Sequence, residues 1–187
     1  MDRREAIQQI AILLGGTVVG AELLASCTST VKNTGTLAGS EHIPILNEIG
    51  DTILPTTESS PGAKAADIGS FMVLMIQDCY SPENRGAFFA GIGEIDGASN
   101  LKYSKGFMQL DALQREELLI ELDKEQEAYM KKKKKDEPTH YFRMMKELTL
   151  LGYFTSEVGA TKALRYVPIP GKYEGEIPYK KGDRAWA

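Results

Sequence analysis

The stretch Asp67-Ile68-Gly69-Ser70-Phe71-Met72-Val73-Leu74-Met75-Ile76-Gln77-Asp78-Cys79 decides the fold class. Ile68, Phe71, Met72, Met75 and Ile76 fall at i, i+3, i+4, i+7 and i+8, the spacing of one buried face of an α-helix. Asp67 stands where a helix cap is expected. Cys79 continues the face by one turn, which predicts a core thiol rather than a reactive one. The same period recurs on both sides. Upstream, Ile45, Leu46, Ile49 and Ile53 form a stripe that Pro55 stops. Downstream, Ser81-Pro82-Glu83 opens a helix with a serine cap, a proline in the first turn and an acid at the positive dipole end. Phe88, Phe89, Ile92 and Ile95 supply its buried side, and Gly97 its end. Asp111 with Gln114 three residues later reads as a capping box. Leu113, Leu119, Ile120 and Leu122 form the apolar arc of that helix, which runs out in the lysines 131–135. Thr139 opens a fifth helix, with Tyr141, Met144, Met145, Leu148 and Leu151 on one face up to Gly152. A short sixth covers residues 155–164. No segment alternates at period two, so the prediction is an all-α domain of five to six helices over residues 41–187. Its last part, 165–187, holds Pro168, Pro170, Gly171, Gly175, Pro178 and Gly182, which forbid a helix.

The first 27 residues read differently. Arg3 and Arg4 precede an uncharged stretch from Gln8 to Ala21, and Leu24-Ala25-Ser26-Cys27 follows. The apolar part is too short and glycine-rich to span a bilayer, which needs about 20 apolar residues. It suits an export signal, residues 1–26, cut before a cysteine. Leu24-Ala25-Ser26-Cys27 looks like a bacterial lipobox, in which the Cys27 thiol takes a diacylglyceryl group. The Arg3-Arg4 pair before a mildly apolar segment fits the twin-arginine route, although Ala6 stands where an aromatic residue is often seen. A general secretion signal is the alternative. Residues 27–40, small and polar, read as a flexible tether between lipid and fold. The expected location is the periplasmic side of a bacterial membrane.

The net charge of the 187-residue chain is −4. The first 26 residues hold two arginines against Asp2, Glu5 and Glu22, so the remainder stands near −3. That gives no electrostatic reason to expect nucleic acid. With Cys27 lipidated only Cys79 is left, and no internal disulfide can form.

Catalytic chemistry is hard to assemble from these residues. His42 and His140 have no partner at metal-ligand spacing and read as surface positions. There is no Cys-x-x-Cys-His for haem and no cysteine set for an iron–sulfur cluster. Gly91-Ile92-Gly93 sits within a helical pattern, not after a strand, so it is no nucleotide loop. Glu116, Glu117, Glu121, Asp123, Glu125 and Glu127 interleave with Arg115, Lys124 and Lys131, as on a solvated helix face. The lysines 131–135 are read as favourable cations at a helix C-terminus, with attraction to anionic headgroups as the alternative. No catalytic, cofactor-binding or metal-binding residue is assigned.

One segment asks for more. Leu148 to Ala160 passes into a tail in which Tyr166, Tyr173, Tyr179 and Trp186 are spread among prolines and glycines. Aromatic residues bury large area at low entropic cost, so such a tail either folds back on its own helices or lies on a partner. Tyr153, Phe154, Tyr166, Tyr173 and Trp186 are the expected partner-binding residues.

Lys146-Glu147-Leu148-Thr149-Leu150-Leu151-Gly152-Tyr153-Phe154-Thr155-Ser156-Glu157-Val158-Gly159, with Ala163-Leu164-Arg165-Tyr166-Val167-Pro168-Ile169-Pro170-Gly171, closely resembles the gluconate 2-dehydrogenase subunit 3 family. Ile49-Gly50-Asp51-Thr52-Ile53-Leu54-Pro55, Pro61-Gly62-Ala63-Lys64 and Asp78-Cys79-Tyr80 match it too. The resemblance covers about 41–187, and only the tether and the lysine run fall outside it. It implies a small subunit without cofactor, joined to a glucose–methanol–choline type flavoprotein that holds FAD. A cytochrome c subunit carrying haem c often takes the electrons onward. In such complexes the small subunit carries the twin-arginine signal for the flavoprotein and supports its stability. An independent lipid-anchored ligand-binding or scaffolding lipoprotein, with no enzyme partner, is the alternative reading.

Overall fold

The computed structural model describes residues 38–169 and 171–186. Arg3, Arg4 and Cys27 lie outside the described residues. Five α-helices follow one another: α1 (Ile43–Ile53), α2 (Ile68–Cys79), α3 (Pro82–Tyr103), α4 (Ala112–Lys132) and α5 (Tyr141–Thr155). A 3-10 turn at Ser40–His42 precedes α1, two more at Ala63–Ala66 and Phe107–Gln109 lie between α1 and α2 and between α3 and α4, and a π-helical segment, Gly159–Ala163, follows α5. Among the described residues there is no strand, only one isolated bridge between Arg165 and Trp186. No described helix is long and apolar enough to cross a membrane.

Helix α5 is the centre of the bundle. It touches all four other helices, and Tyr141, Phe142, Met144, Met145, Leu148, Thr149, Gly152 and Tyr153 are all buried on it. The neighbours meet it with Ile68, Met72, Val73 and Ile76 of α2, Phe88, Ile92 and Ile95 of α3, Leu118, Leu119 and Leu122 of α4, and Leu46 and Ile49 of α1. Two glycines set how closely these helices approach. A Cβ at Gly91 would lie 2.1 Å from the Tyr141 ring, and one at Gly152 would lie 2.4 Å from Phe71. Neither gap admits a methyl group without displacement.

The capping chemistry is partly local and partly tertiary. Asp111 and Gln114 do form the reciprocal capping box at the start of α4, and Ser81 Oγ accepts the Asn84 amide at the start of α3. Asp67 does not cap α2 with its side chain. Its backbone adopts a left-handed conformation, and its carboxylate accepts from the Asn47 amide instead. Asn47 Oδ1, on α1, takes the Gly69 N–H at 2.7 Å. One asparagine thus satisfies an end of a helix more than 20 residues away in sequence.

Other expectations shift for similar reasons. Helix α3 runs through Gly97 and ends at Ser104, whose φ of 55° terminates it. Nothing surrounds a Cβ at Gly97, so that glycine sits on an open surface and breaks nothing. Leu113, Ile120 and Leu151 are exposed, because the buried arcs of α4 and α5 lie a fraction of a turn away, on Leu118, Leu122 and Gln126 and on Leu148 and Gly152. Thr139 precedes the helix by one residue more than expected, and His140 is the cap, with Nδ1 accepting the Phe142 N–H at 3.2 Å. Cys79 is exposed. It lies on the predicted face, but as the last residue of α2 it has run past the core.

Candidate partner-binding surface

The segment after α5 is a hydrogen-bonded corner. Ser156 Oγ donates to the Tyr153 carbonyl at 2.7 Å and accepts the Gly159 N–H at 3.0 Å, so one hydroxyl closes α5 and opens the next turn. Gly159 packs so tightly that a Cβ there would lie 1.9 Å from the Tyr153 carbonyl oxygen. The Leu164 N–H reaches back five residues to the Gly159 carbonyl, which makes the π turn. The Tyr153 hydroxyl donates to the Pro61 carbonyl and fastens the corner to the α1–α2 loop. Tyr153 is therefore a core residue, 3% exposed, and offers no surface to a partner. Its expected role as a contact is corrected: it holds the corner. Its neighbour Phe154 stands edge-on to it at 5.2 Å and faces out.

Beyond the corner the chain closes a loop on itself. The Arg165 N–H donates to the Ala185 carbonyl at 2.8 Å, and the Arg165 guanidinium lies 4.5 Å from the Trp186 ring centre, a cation–π contact. Arg184 reaches the Ser59 carbonyl at 3.2 Å. The base of the tail is thus tied down beside the α1–α2 loop. Between these ties the apolar groups stay uncovered: Tyr166, Val167, Ile169, Tyr173, Ile177, Tyr179 and Trp186 are all exposed, Tyr173 at 95%. Together with Phe154, Leu150 and Leu151 on the outer side of α5 they make up the exposed apolar surface of the C-terminal region.

The charged clusters elsewhere are structural in geometry. Glu48 is the hub of one: Lys64 and Arg115 both pair with it, and the hydrogen bond from Lys64, followed by the Arg115 charge, holds its carboxyl below the ordinary range against the opposing effect of burial. Arg115 also donates to the Met108 carbonyl at 2.9 Å and lies over the Phe107 ring. On the outer face of α4, Glu117 and Glu121 share Lys102. The Tyr103 hydroxyl and then Lys102 lower the Glu117 pKa. Burial works against the Asp123 carboxylate, yet the Lys146 ammonium at 2.7 Å keeps it ionised below the usual range. These acids have cation partners that stabilise the carboxylate, the opposite of a carboxyl poised to give a proton near neutral pH.

His140 is buried, not on the surface as its place in the sequence suggests. Its ring stacks on Tyr141 at 4.4 Å and meets Tyr129 at 5.4 Å, and burial pushes its pKa down. His42 is half-buried against Phe89. No described group of three or more His, Cys, Asp or Glu could hold a metal ion. An open cleft of about 240 Å³ lies between α1, α4 and α5, with Ile53, Leu119, Ile120 and Phe142 on its walls and the Asp123–Lys146 pair at its edge. Glu116 lines it as well, and its volume falls below the range of about 300–1,000 Å³ usual for ligand pockets.

No sequence signal marked Asn47 or Ser156 as organisers of this region, because their partners are set by tertiary approach and corner geometry. The Tyr153-Phe154 pair was legible as important, but not which ring would point inward. No curated protein and no solved structure matches the chain. The family model described as Gluconate 2-dehydrogenase subunit 3 matches residues 40–171, which takes in all five helices, the corner and the start of the tail. The chain belongs to the gluconate 2-dehydrogenase subunit 3 family.

Proposed function

We propose that this chain is the non-catalytic small subunit of a membrane-associated, FAD-dependent sugar or sugar-acid dehydrogenase, and that it supports export, stability and location of the flavoprotein. FAD, and haem c where a cytochrome subunit takes part, reside in the partners. Arg3 and Arg4 supply the twin-arginine signal for the assembled pair, and Cys27 carries the lipid. The observation that carries this reading is the series of uncovered apolar side chains from Phe154 through Tyr166 and Tyr173 to Trp186. A flavoprotein surface that covers these rings would gain roughly 25 cal/mol for each Å² of apolar area removed from water.

The test is co-expression with a glucose–methanol–choline type flavoprotein from the same organism, followed by purification through a tag on this chain. A yellow, FAD-containing protein should co-purify, and replacing Arg3 and Arg4 by lysine should leave that flavoprotein in the cytoplasm. Dye-linked dehydrogenase activity from this chain alone, free of FAD protein, would overturn the accessory role.

A further inference from the structure

We propose that one end of the bundle, formed by the α2–α3 turn and the lysine loop after α4, faces the membrane, with Lys131 to Lys135 against anionic lipid headgroups. This rests on the lipid-anchor reading of Cys27. The described chain begins at Ala38. Gln77, in the last turns of α2, donates its side-chain amide to the Ala38 carbonyl, and Gly39 packs against Phe89 of α3. Ten residues lie between Cys27 and Ala38, so the eleven steps span at most about 40 Å even when fully extended. The lipid is therefore tethered closest to this end.

The lysine loop lies at the same end. Arg85 of α3 reaches the Gln77 carbonyl at 3.5 Å. The residue before it, Asn84, accepts the Thr139 N–H at 2.8 Å, at the close of the loop. The Tyr129 hydroxyl donates to the Pro138 carbonyl at 2.9 Å and ties the loop to α4. Lys131, Lys132, Lys134 and Lys135 are exposed, and none of the five lysines forms an ion pair among the described residues.

Carboxylates share this end: Asp78 on α2, Glu83 on α3, and Asp136 and Glu137 in the loop. Reach distinguishes the two signs. Glu137 is exposed but held in the loop's own turn, accepting the Lys134 N–H at 3.0 Å. Lysine ammonium groups extend on four-carbon stems past shorter acids toward a headgroup plane. Five consecutive lysines crossing a helix end also project to several sides. That suits a diffuse plane of charge, worth about 1 kcal/mol per lysine near an anionic surface, better than a matched set of carboxylates. The aromatic tail leaves from the other end of α5, 15 residues away, or about 22 Å of helix. The orientation would thus keep the lipid surface and the partner surface apart.

The test uses the full chain with its lipid at Cys27 verified by intact mass, placed in vesicles of phosphatidylglycerol with phosphatidylethanolamine, or of phosphatidylcholine. Lysine acetylation rates are read residue by residue. Lys131, Lys132, Lys134 and Lys135 should react about fivefold more slowly on the anionic vesicles at about 0.1 M salt, and this protection should fade at about 0.5 M. Lys172, Lys180 and Lys181 of the tail should react equally on both. Equal rates for the loop lysines on the two vesicles, or protection of the tail lysines instead, would overturn the orientation. A mass without lipid at Cys27 would instead remove the anchor reading, and this inference with it, before any vesicle is made.

Discussion

Helix α5 and the tail 171–186 have nearly the same length and both are rich in aromatic residues, yet they place them in opposite environments. Tyr141, Phe142 and Tyr153 are buried on α5, while Tyr173, Tyr179 and Trp186 are open to solvent. Residue type does not separate the two regions; backbone geometry does. A helix lines up every third and fourth residue and can present one apolar stripe to four neighbours at once. A chain interrupted by Pro178, Gly175 and Gly182 has no common face to bury. The helix completes the fold, and the tail is left with apolar surface that folding does not use. That surplus is the physical basis for reading the tail as the part that meets another subunit.

The comparison can be broken by substitution. The largest effect is expected at Phe142, 2% exposed at the centre of the bundle. Phe142→Ala should cost about 3–5 kcal/mol in denaturant unfolding, and a loss below 1 kcal/mol would mean that α5 is not the keystone described. Next comes Gly91→Ala, which places a methyl group into the Tyr141 ring; about 1–3 kcal/mol should be lost, and an unchanged midpoint would show that α3 can move away freely. Asn47→Ala removes the cap on Gly69 and the bond to Asp67, for an expected loss of about 0.5–2 kcal/mol. Asn47→Asp keeps an acceptor for Gly69 but sets a second carboxylate against Asp67, where Asn47 donates, and should not recover the loss.

A pH prediction concerns the other end of α5. Burial holds His140 below its ordinary value of 6.5, with Glu125 and Glu94 pulling weakly the other way. The unfolded chain then takes up the proton first as pH falls. The stability contributed by the neutral ring is complete above about pH 6.5 and is lost as pH drops through the folded value. Protonation also turns Nδ1 from acceptor to donor, which breaks the cap on Phe142. His140→Asn, an acceptor that does not titrate, should flatten the decline of melting temperature between about pH 7 and pH 5. The same slope in the variant would assign that decline to other groups. The smallest effect is expected in the tail: Tyr173→Ala should change stability by less than about 0.5 kcal/mol. A larger loss would show that the tail is packed on its own domain after all.

Much of this arrangement is legible in the sequence. The period of Ile68, Met72 and Ile76, the Asp111–Gln114 box and the Pro/Gly pattern of the tail are local signals, and all three hold. What escaped was set by approach between distant elements. Asn47 caps a helix through space, and no spacing rule announces that. Cys79 and Leu151 follow the right period, but one lies beyond the end of the core and the other lies off the buried arc. His140 read as exposed because it opens a helix; Tyr129 and Tyr141 enclose it. At Tyr153 and Phe154 the sequence marks the pair, and only the Ser156 corner decides which ring turns inward.

The most direct test is the affinity of this chain for the flavoprotein proposed as its partner, with and without residues 171–187. The truncated chain should keep its helical signal and melting temperature while its binding weakens by about a hundredfold or more. An affinity equal to that of the full chain would contradict it, and would place the partner surface on the helices instead.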